Sequence, residues 1–380
     1  MSVPRELVST SVIAEQEHRI TAVEAIPVAL PMLRPAQFAS GTIDTAYNVV
    51  VRVHSDAGVV GCAEAQPRPY TYGETQESIV RTVREWFAPR LIGVDPIAYE
   101  RVRALGAGLQ GQNCARAAIE VAVADLSARL LGVSCATLLG GAVDQVPVAA
   151  MVSFGAPNEM AEQAAEFRDR QGIETFKVKV GREVDLDVRC VAAVRGVVPA
   201  ARLYVDANRG WTLGQARAAA PRLVELGVEA IEEPISLDDI EGRLALADEW
   251  AVLVGGDESC LSLTDVAREI AGPVGQVSIK VARTAFAESR EILAHCRAAG
   301  VGAVVGSQYE GALGAWASIA FAAGCPDLSA RPVEAANFLD LASDLVAGPQ
   351  IHEGRVAVPD APGLGVTVDL EALDHYRLEA

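Results

Sequence analysis

The chain has little that would tie it to a membrane, a nucleic acid or an oxidising compartment. No apolar run approaches the roughly 18 residues that a membrane-spanning helix needs. The N-terminal stretch MSVPRELVSTSVIAEQEHRI has Arg5, Glu6, Glu15 and Glu17 spread through it in place of an apolar segment, so no signal peptide is read there. Seven cysteines, at 62, 114, 135, 190, 260, 296 and 325, are an odd number, widely spaced and without a C-x-x-C pair. That pattern argues against a disulfide framework or a zinc cluster and fits a reducing cytoplasm. A net charge of −18 disfavours nucleic acid or an anionic membrane as a partner, because both would be repelled. A small anionic substrate is a separate case, since a local cluster of lysines outweighs a distant global charge.

What the chain does have is periodicity. Its 380 residues are enough for one barrel of about 250 residues with an appended domain. After residue 145, short β-branched runs recur: VPVAAMVSF, TFKVKV, RLYVDA, VEAIEE, AVLVGG, QVSIKV, GAVVGS and ARPVEA. Between them lie stretches such as LGQARAAAPRLVELG, whose apolar positions follow helical spacing and whose ends carry Gly227 or Gly300 as stops. Eight strand-plus-helix units predict a parallel (β/α)8 barrel over 142–345, with a doubly wound open sheet as the alternative. Residues 1–141 read as an α+β capping domain: an antiparallel meander turning at Asp56-Ala57-Gly58, then helices near 75–90, 96–107 and 112–131. The tail, 346–380, has two strand-like pieces and is expected to return to the capping domain.

Barrel enzymes collect their chemistry at the C-terminal ends of the strands. Those ends read YVDAN, AIEEP and GGDES, which places Asp206, Glu232 and Asp257 one structural repeat apart. Three carboxylates on neighbouring strands repel unless a cation sits between them, and oxygen-only ligation points to Mg²⁺, with Mn²⁺ as a substitute, over zinc. FKVKVG ends the preceding strand, and strand alternation sends Lys177 and Lys179 out of one face. Lys280 in SIKVA ends the strand after Asp257, so two lysines flank the acids. Lys179 and Lys280 are expected to act as a base and its opposite, with Lys177 lowering the pKa of Lys179 as a nearby like charge. The target is a carbon acid next to a carboxylate. In PRPYTYG, Arg68, Tyr70 and Tyr72 would sit in a capping loop able to close over it.

The set KVKVG, VDANRGW, IEEP, GGDES and SIKVA, in this order, resembles the enolase superfamily and within it the muconate lactonizing enzyme subgroup. The PDAPGLGVTVD tail and the YGETQESI segment are similar to that subgroup too. The resemblance implies a modified barrel with a cap, Mg²⁺ on Asp206, Glu232 and Asp257, Asn208 and Glu258 behind them, a Lys179/Lys280 acid–base pair and a homo-oligomer, octamer or dimer. It also implies a site glutamate at Glu310 in SQYEGALG. KVARTAF departs from the family pattern by lacking the Gly-Gly pair that commonly follows the lysine strand, and PVEAANF lacks the Asp-x-Asp that dipeptide epimerases use. The expected activity is a muconate-type cycloisomerase. The alternatives are a racemase or epimerase of an N-substituted amino acid, a dehydratase of a hydroxy or imino acid, and a binding barrel without catalysis.

Overall fold

The computed structural model describes residues 18–39 and 41–379; most of the N-terminal stretch in which no signal peptide is read lies outside them. Strands β1 (Ile20–Phe38), β2 (Gly41–Ser55) and β3 (Val60–Ala65) form the expected antiparallel meander. Gly58, at φ +73°, turns the chain between β2 and β3, a conformation glycine adopts without cost. Val49, Val51 and Val53 are buried on β2. The helix Asn113–Leu131 packs directly on β3. Their approach is so close that a Cβ at Gly61 would lie 2.2 Å from the Ala122 carbonyl oxygen, so only glycine fits there.

Eight parallel strands follow: β4 (Gln145–Val152), β5 (Thr175–Lys179), β6 (Arg202–Asp206), β7 (Val228–Glu232), β8 (Leu253–Gly256), β9 (Gln276–Ile279), β10 (Gly302–Val305) and β11 (Val333–Glu334). Strands β4 to β10 pair in chain order, and β11 returns to pair with β4 through Val333↔Val148 and Glu334↔Ala149. That return wraps the sheet into a barrel and rules out the doubly wound alternative, whose first and last strands stay apart. Helices alternate with the strands. One of them, Leu213–Glu225, starts at a capping box in which Thr212 Oγ1 accepts from the Gln215 N–H while the Gln215 side chain accepts from the Thr212 N–H.

The tail differs in part from expectation. Of the two strand-like pieces in GRVAVPDAPGLGVTVDLEAL only the first is a strand, β13 (Arg355–Ala357), which forms a hairpin with the short β12 (Ile351–His352) just before it and pairs antiparallel with β4 of the barrel. The second piece, VTVD, joins no ladder. An unpaired strand edge attracts any nearby extended segment, and hydropathy alone does not say which edge is free. The return to the cap comes later. Buried Asp125 on the helix Asn113–Leu131 accepts from the N–H of Leu364 (2.6 Å) and of Cys62 (2.8 Å), and the Leu378 N–H donates to the Pro27 carbonyl (2.9 Å).

Cap and barrel also meet at the N-terminus of the helix Ala312–Gly324. Glu64 on β3 accepts from the N–H groups of Gly311 (3.1 Å) and Gly314 (3.0 Å), and Asp344 accepts from that of Ala312 (2.7 Å). Burial, and then the charge of Asp344, push the Glu64 carboxyl up to about 7 from 4.5. As pH rises from about 4.5 to about 7, the unfolded chain gives up this proton while the folded chain keeps it, so stability falls across that window and levels off above it. Asp344→Asn removes the repelling charge, and the drop in melting temperature between pH 5 and pH 8 should shrink by roughly 1–2 °C. Equal drops in both proteins would show that the two carboxylates do not interact.

Candidate active site

Strand register assembles the site. Lys179 on β5 lies opposite Asp206 on β6, and Asp206 opposite Glu232 on β7, so one layer of the barrel mouth carries a lysine and two acids side by side. Asp257 follows β8 by one residue and Lys280 follows β9 by one. Lys177 and Lys179 both point inward, at 2% and 6% exposure, so FKVKVG is not a lysine-protected edge.

The acids Asp206, Glu232 and Asp257 each offer an oxygen within 4.8 Å of the others, and all three are buried. Lys179 Nζ donates to Asp206 Oδ2 (2.6 Å) and Asn208 Oδ1 (2.8 Å), and Lys280 Nζ to Asp257 Oδ2 (2.5 Å). Burial opposes ionisation of Asp257, but Lys280 and Arg283 outweigh it and hold that carboxyl below the usual carboxylate range. Burial drives Glu232 the other way, well above that range, against the pull of Lys177 and helped by Asp206 and Asp257. A cluster in which one acid resists ionisation is short of positive charge. Three converging hard oxygens supply the donor set that a divalent cation takes, so the residues fit a metal ion.

Lys177 is placed lower in the barrel. Its ammonium lies 2.8 Å from Glu232 Oε1, 3.0 Å from Glu334 Oε1 and 3.6 Å from Asp206 Oδ2. These three carboxylates, against the effect of burial, hold it well above the ordinary lysine pKa. Asn208 bridges the layer, accepting from Lys179 and donating to Glu258 Oε1 (3.1 Å). Burial, then the charges of Asp257, Glu233 and Asp206, raise Glu258 to about 7.

The cavity above the acids is small, about 60 Å³, and Lys177, Lys179, Lys280 and the loop residues Arg68, Tyr70 and Tyr72 line it, as does Phe38 from the β1–β2 hairpin. The Phe38 ring centre is 5.2 Å from Lys179 Nζ. Arg68 ties the loop down by donating to the backbone carbonyls of Pro67 and Gln308. Glu310 is not brought to the cavity wall. Its carboxylate turns back on its own loop, accepting from the Ser307 hydroxyl and the Gln308 N–H, because those donors close the turn that starts the helix Ala312–Gly324.

Backbone strain concentrates at the same mouth. Among the described residues seven non-glycine residues have positive φ, and five of them, Asn208, Arg209, Glu233, Ala285 and Tyr309, lie in loops that follow barrel strands. Ala285 (φ 48°, ψ −156°) holds a conformation that glycine adopts more readily than alanine. Ala285→Gly should remove about 1 kcal/mol of strain and raise the melting temperature; a lower melting temperature would show that the alanine is comfortable there.

Sequence reasoning missed Arg283 and Glu334. Glu334 satisfies the same rule that found Asp206, an acid at a strand end in the repeat. Composition held a further signal: of 32 lysines and arginines only three are lysines, and they are 177, 179 and 280.

The profile described as "Mandelate racemase / muconate lactonizing enzyme, N-terminal domain" matches residues 20–140, and "Enolase C-terminal domain-like" matches 159–373. The chain belongs to the mandelate racemase/muconate lactonizing enzyme family. Among its relatives in this family, the L-Ala-D/L-Glu epimerase of Bacillus subtilis is 30% identical over 92% of this chain and 96% of that protein. The chloromuconate cycloisomerase of Cupriavidus pinatubonensis is 30% identical over 94% and 99%. A muconate lactonizing enzyme from Mucobacterium Smegmatis, solved with muconolactone, superposes with a TM-score of 0.93 at 38% identity, covering 95% of this chain and 100% of that one. These family members are isomerases of the enolase superfamily, and the chain is an enzyme of that class. No helix among the described residues is long and apolar enough to cross a membrane.

Proposed function

We propose that the chain is a Mg²⁺-dependent cycloisomerase of the muconate type, with Asp206, Glu232 and Asp257 as the ligands and Mn²⁺ as an acceptable substitute. The observation that favours this over dipeptide epimerisation is at β11. Its acid, Glu334, is already taken by Lys177, by the Tyr204 hydroxyl (2.8 Å) and by the Ser307 N–H (3.2 Å), which leaves no carboxylate there for a substrate ammonium. The 38% identity to a structure solved with muconolactone points the same way.

A divalent cation on the triad would supply positive charge to the substrate carboxylate and so make the adjacent C–H easier to form or break. Lys179 Nζ is the group that delivers or removes the proton there, held in place by Asp206 and Asn208. Lys280, on the other side of the triad, supplies a second charge or the opposing proton. Lys177 offsets the charge of Glu232 and Glu334 beneath the site and serves as an electrostatic helper to Lys179. Arg68, Tyr70 and Tyr72 form the cover. Division at residues 141 and 345, a homo-oligomer and a cytoplasmic setting belong to the same reading; all seven cysteines are free and buried, which supports the last.

Two lysines flanking one triad favour a second reading, racemisation of an N-substituted amino acid, because a racemase needs a base on each face. Purified protein with Mg²⁺ should consume cis,cis-muconate, seen as loss of diene absorbance. Inertness toward muconates together with racemisation of N-succinyl amino acids, followed by polarimetry, would replace the first reading with the second.

A further inference from the structure

The arginine that follows the lysine strand has no assigned role, yet it holds one of the triad acids. Arg283 lies on the short helical turn Val281–Thr284, is 3% exposed, and projects back toward the barrel mouth. Its Nη1 donates to Asp257 Oδ1 (2.5 Å) and to the Tyr72 hydroxyl oxygen (3.2 Å), while Nη2 donates to the Ser278 carbonyl (2.7 Å). The Tyr72 oxygen also accepts from Gln308 Nε2 (3.0 Å), and the Gln308 carbonyl accepts from Arg68. Asp257 is thus gripped at both oxygens, Oδ2 by Lys280 and Oδ1 by Arg283, and the second grip continues through Tyr72 into the loop that covers the site.

We propose that Arg283 is a positioning residue for the metal centre, fixing the rotamer of Asp257 and linking it through Tyr72 to the seated position of the covering loop. The inference rests on the metal reading above. A planar guanidinium suits this task because its fork reaches a carboxylate, a phenol and a carbonyl at once, whereas the ammonium of lysine is a point charge on a flexible stem. The rigid seat comes from the Ser278 carbonyl on β9 and from the turn that Ala285 closes at positive φ.

Charge and geometry make opposite predictions. As a positive charge beside the triad, Arg283 opposes cation binding, so a purely electrostatic bystander would leave Arg283→Lys unchanged and tighten binding in Arg283→Met. As an orienting partner, it should lose function in Arg283→Lys, where the charge stays and the fork goes. Mn²⁺ binding can be followed directly by the electron paramagnetic resonance of the free ion, without substrate. We expect Arg283→Lys to raise the Mn²⁺ Kd about tenfold, as loss of a partner behind a metal ligand typically does, with the melting temperature unchanged. Tyr72→Phe should raise it by a smaller factor, roughly threefold, and the double variant should be no weaker than Arg283→Lys alone, because Tyr72 acts through the arginine. Unchanged Mn²⁺ affinity in Arg283→Lys, or additive effects of the two changes, would overturn the inference. If Arg283→Lys does not fold, Tyr72→Phe decides alone, and an unchanged Kd there also overturns it. Absence of Mn²⁺ binding by the wild type overturns the metal reading and this inference with it; normal wild-type binding beside an unaltered Arg283→Lys overturns only the inference.

Discussion

Asp206→Asn, Glu232→Gln and Asp257→Asn should each lower turnover about a thousandfold or more while the protein still unfolds cooperatively. Charge stabilisation by a bound cation is worth several kcal/mol, and each ~1.4 kcal/mol is a factor of ten in rate. The fold is expected to survive because each amide keeps the shape of the acid it replaces and an oxygen to accept from the neighbouring lysine or arginine, while repulsion among the three clustered acids falls. Chelation should copy the variants, and added Mg²⁺ should reverse chelation in the wild type without restoring the variants. Full activity in excess EDTA would refute the metal assignment outright.

The second large effect concerns the lysines. Lys179→Ala should cost about 10³- to 10⁴-fold, near the upper end of what one acid–base group supplies. Lys280→Ala separates the two reactions. In a cycloisomerase that uses Lys179 as its acid, the loss should be about 10²- to 10³-fold, comparable with deleting one oxyanion donor. In a racemase, turnover of both enantiomers should stop while Lys179-dependent exchange of the α-proton continues for one of them. Running each variant in D₂O names the lysine by the position and face of the deuterium. Delivery to the same face at the wild-type rate in both variants would show that neither lysine is the acid.

The barrel and its triad were legible because they depend on local order. A repeat of strand and helix fixes where strands end, and the strand end is where Asp206, Glu232 and Asp257 stand. Lys177 and Lys179 followed from alternation alone. What sequence order does not carry is contact between distant segments. Phe38 reaches Lys179 only because the β1–β2 hairpin leans over the barrel, and no local pattern announces that. The pairing of β13 with β4 is of the same kind. Glu310 is implied as a site glutamate by the resemblance alone, and its carboxylate accepts from donors in its own turn instead of lining the cavity. Arg283 lies in KVARTAF, but only the folded turn Val281–Thr284 brings its guanidinium back onto Asp257, a contact between two strand ends that no local pattern carries.

The confinement of all three lysines to the barrel mouth gives the molecule an exterior without a single lysine amine. Their exposures are 2%, 6% and 7%, while every other basic side chain of the sequence, histidine aside, is an arginine. Lysine-directed acylation, which on most proteins is spread over the outer shell, here has targets only behind the covering loop. A ligand seated on these lysines would therefore register as protection from such a reagent, against almost no background from other lysine side chains.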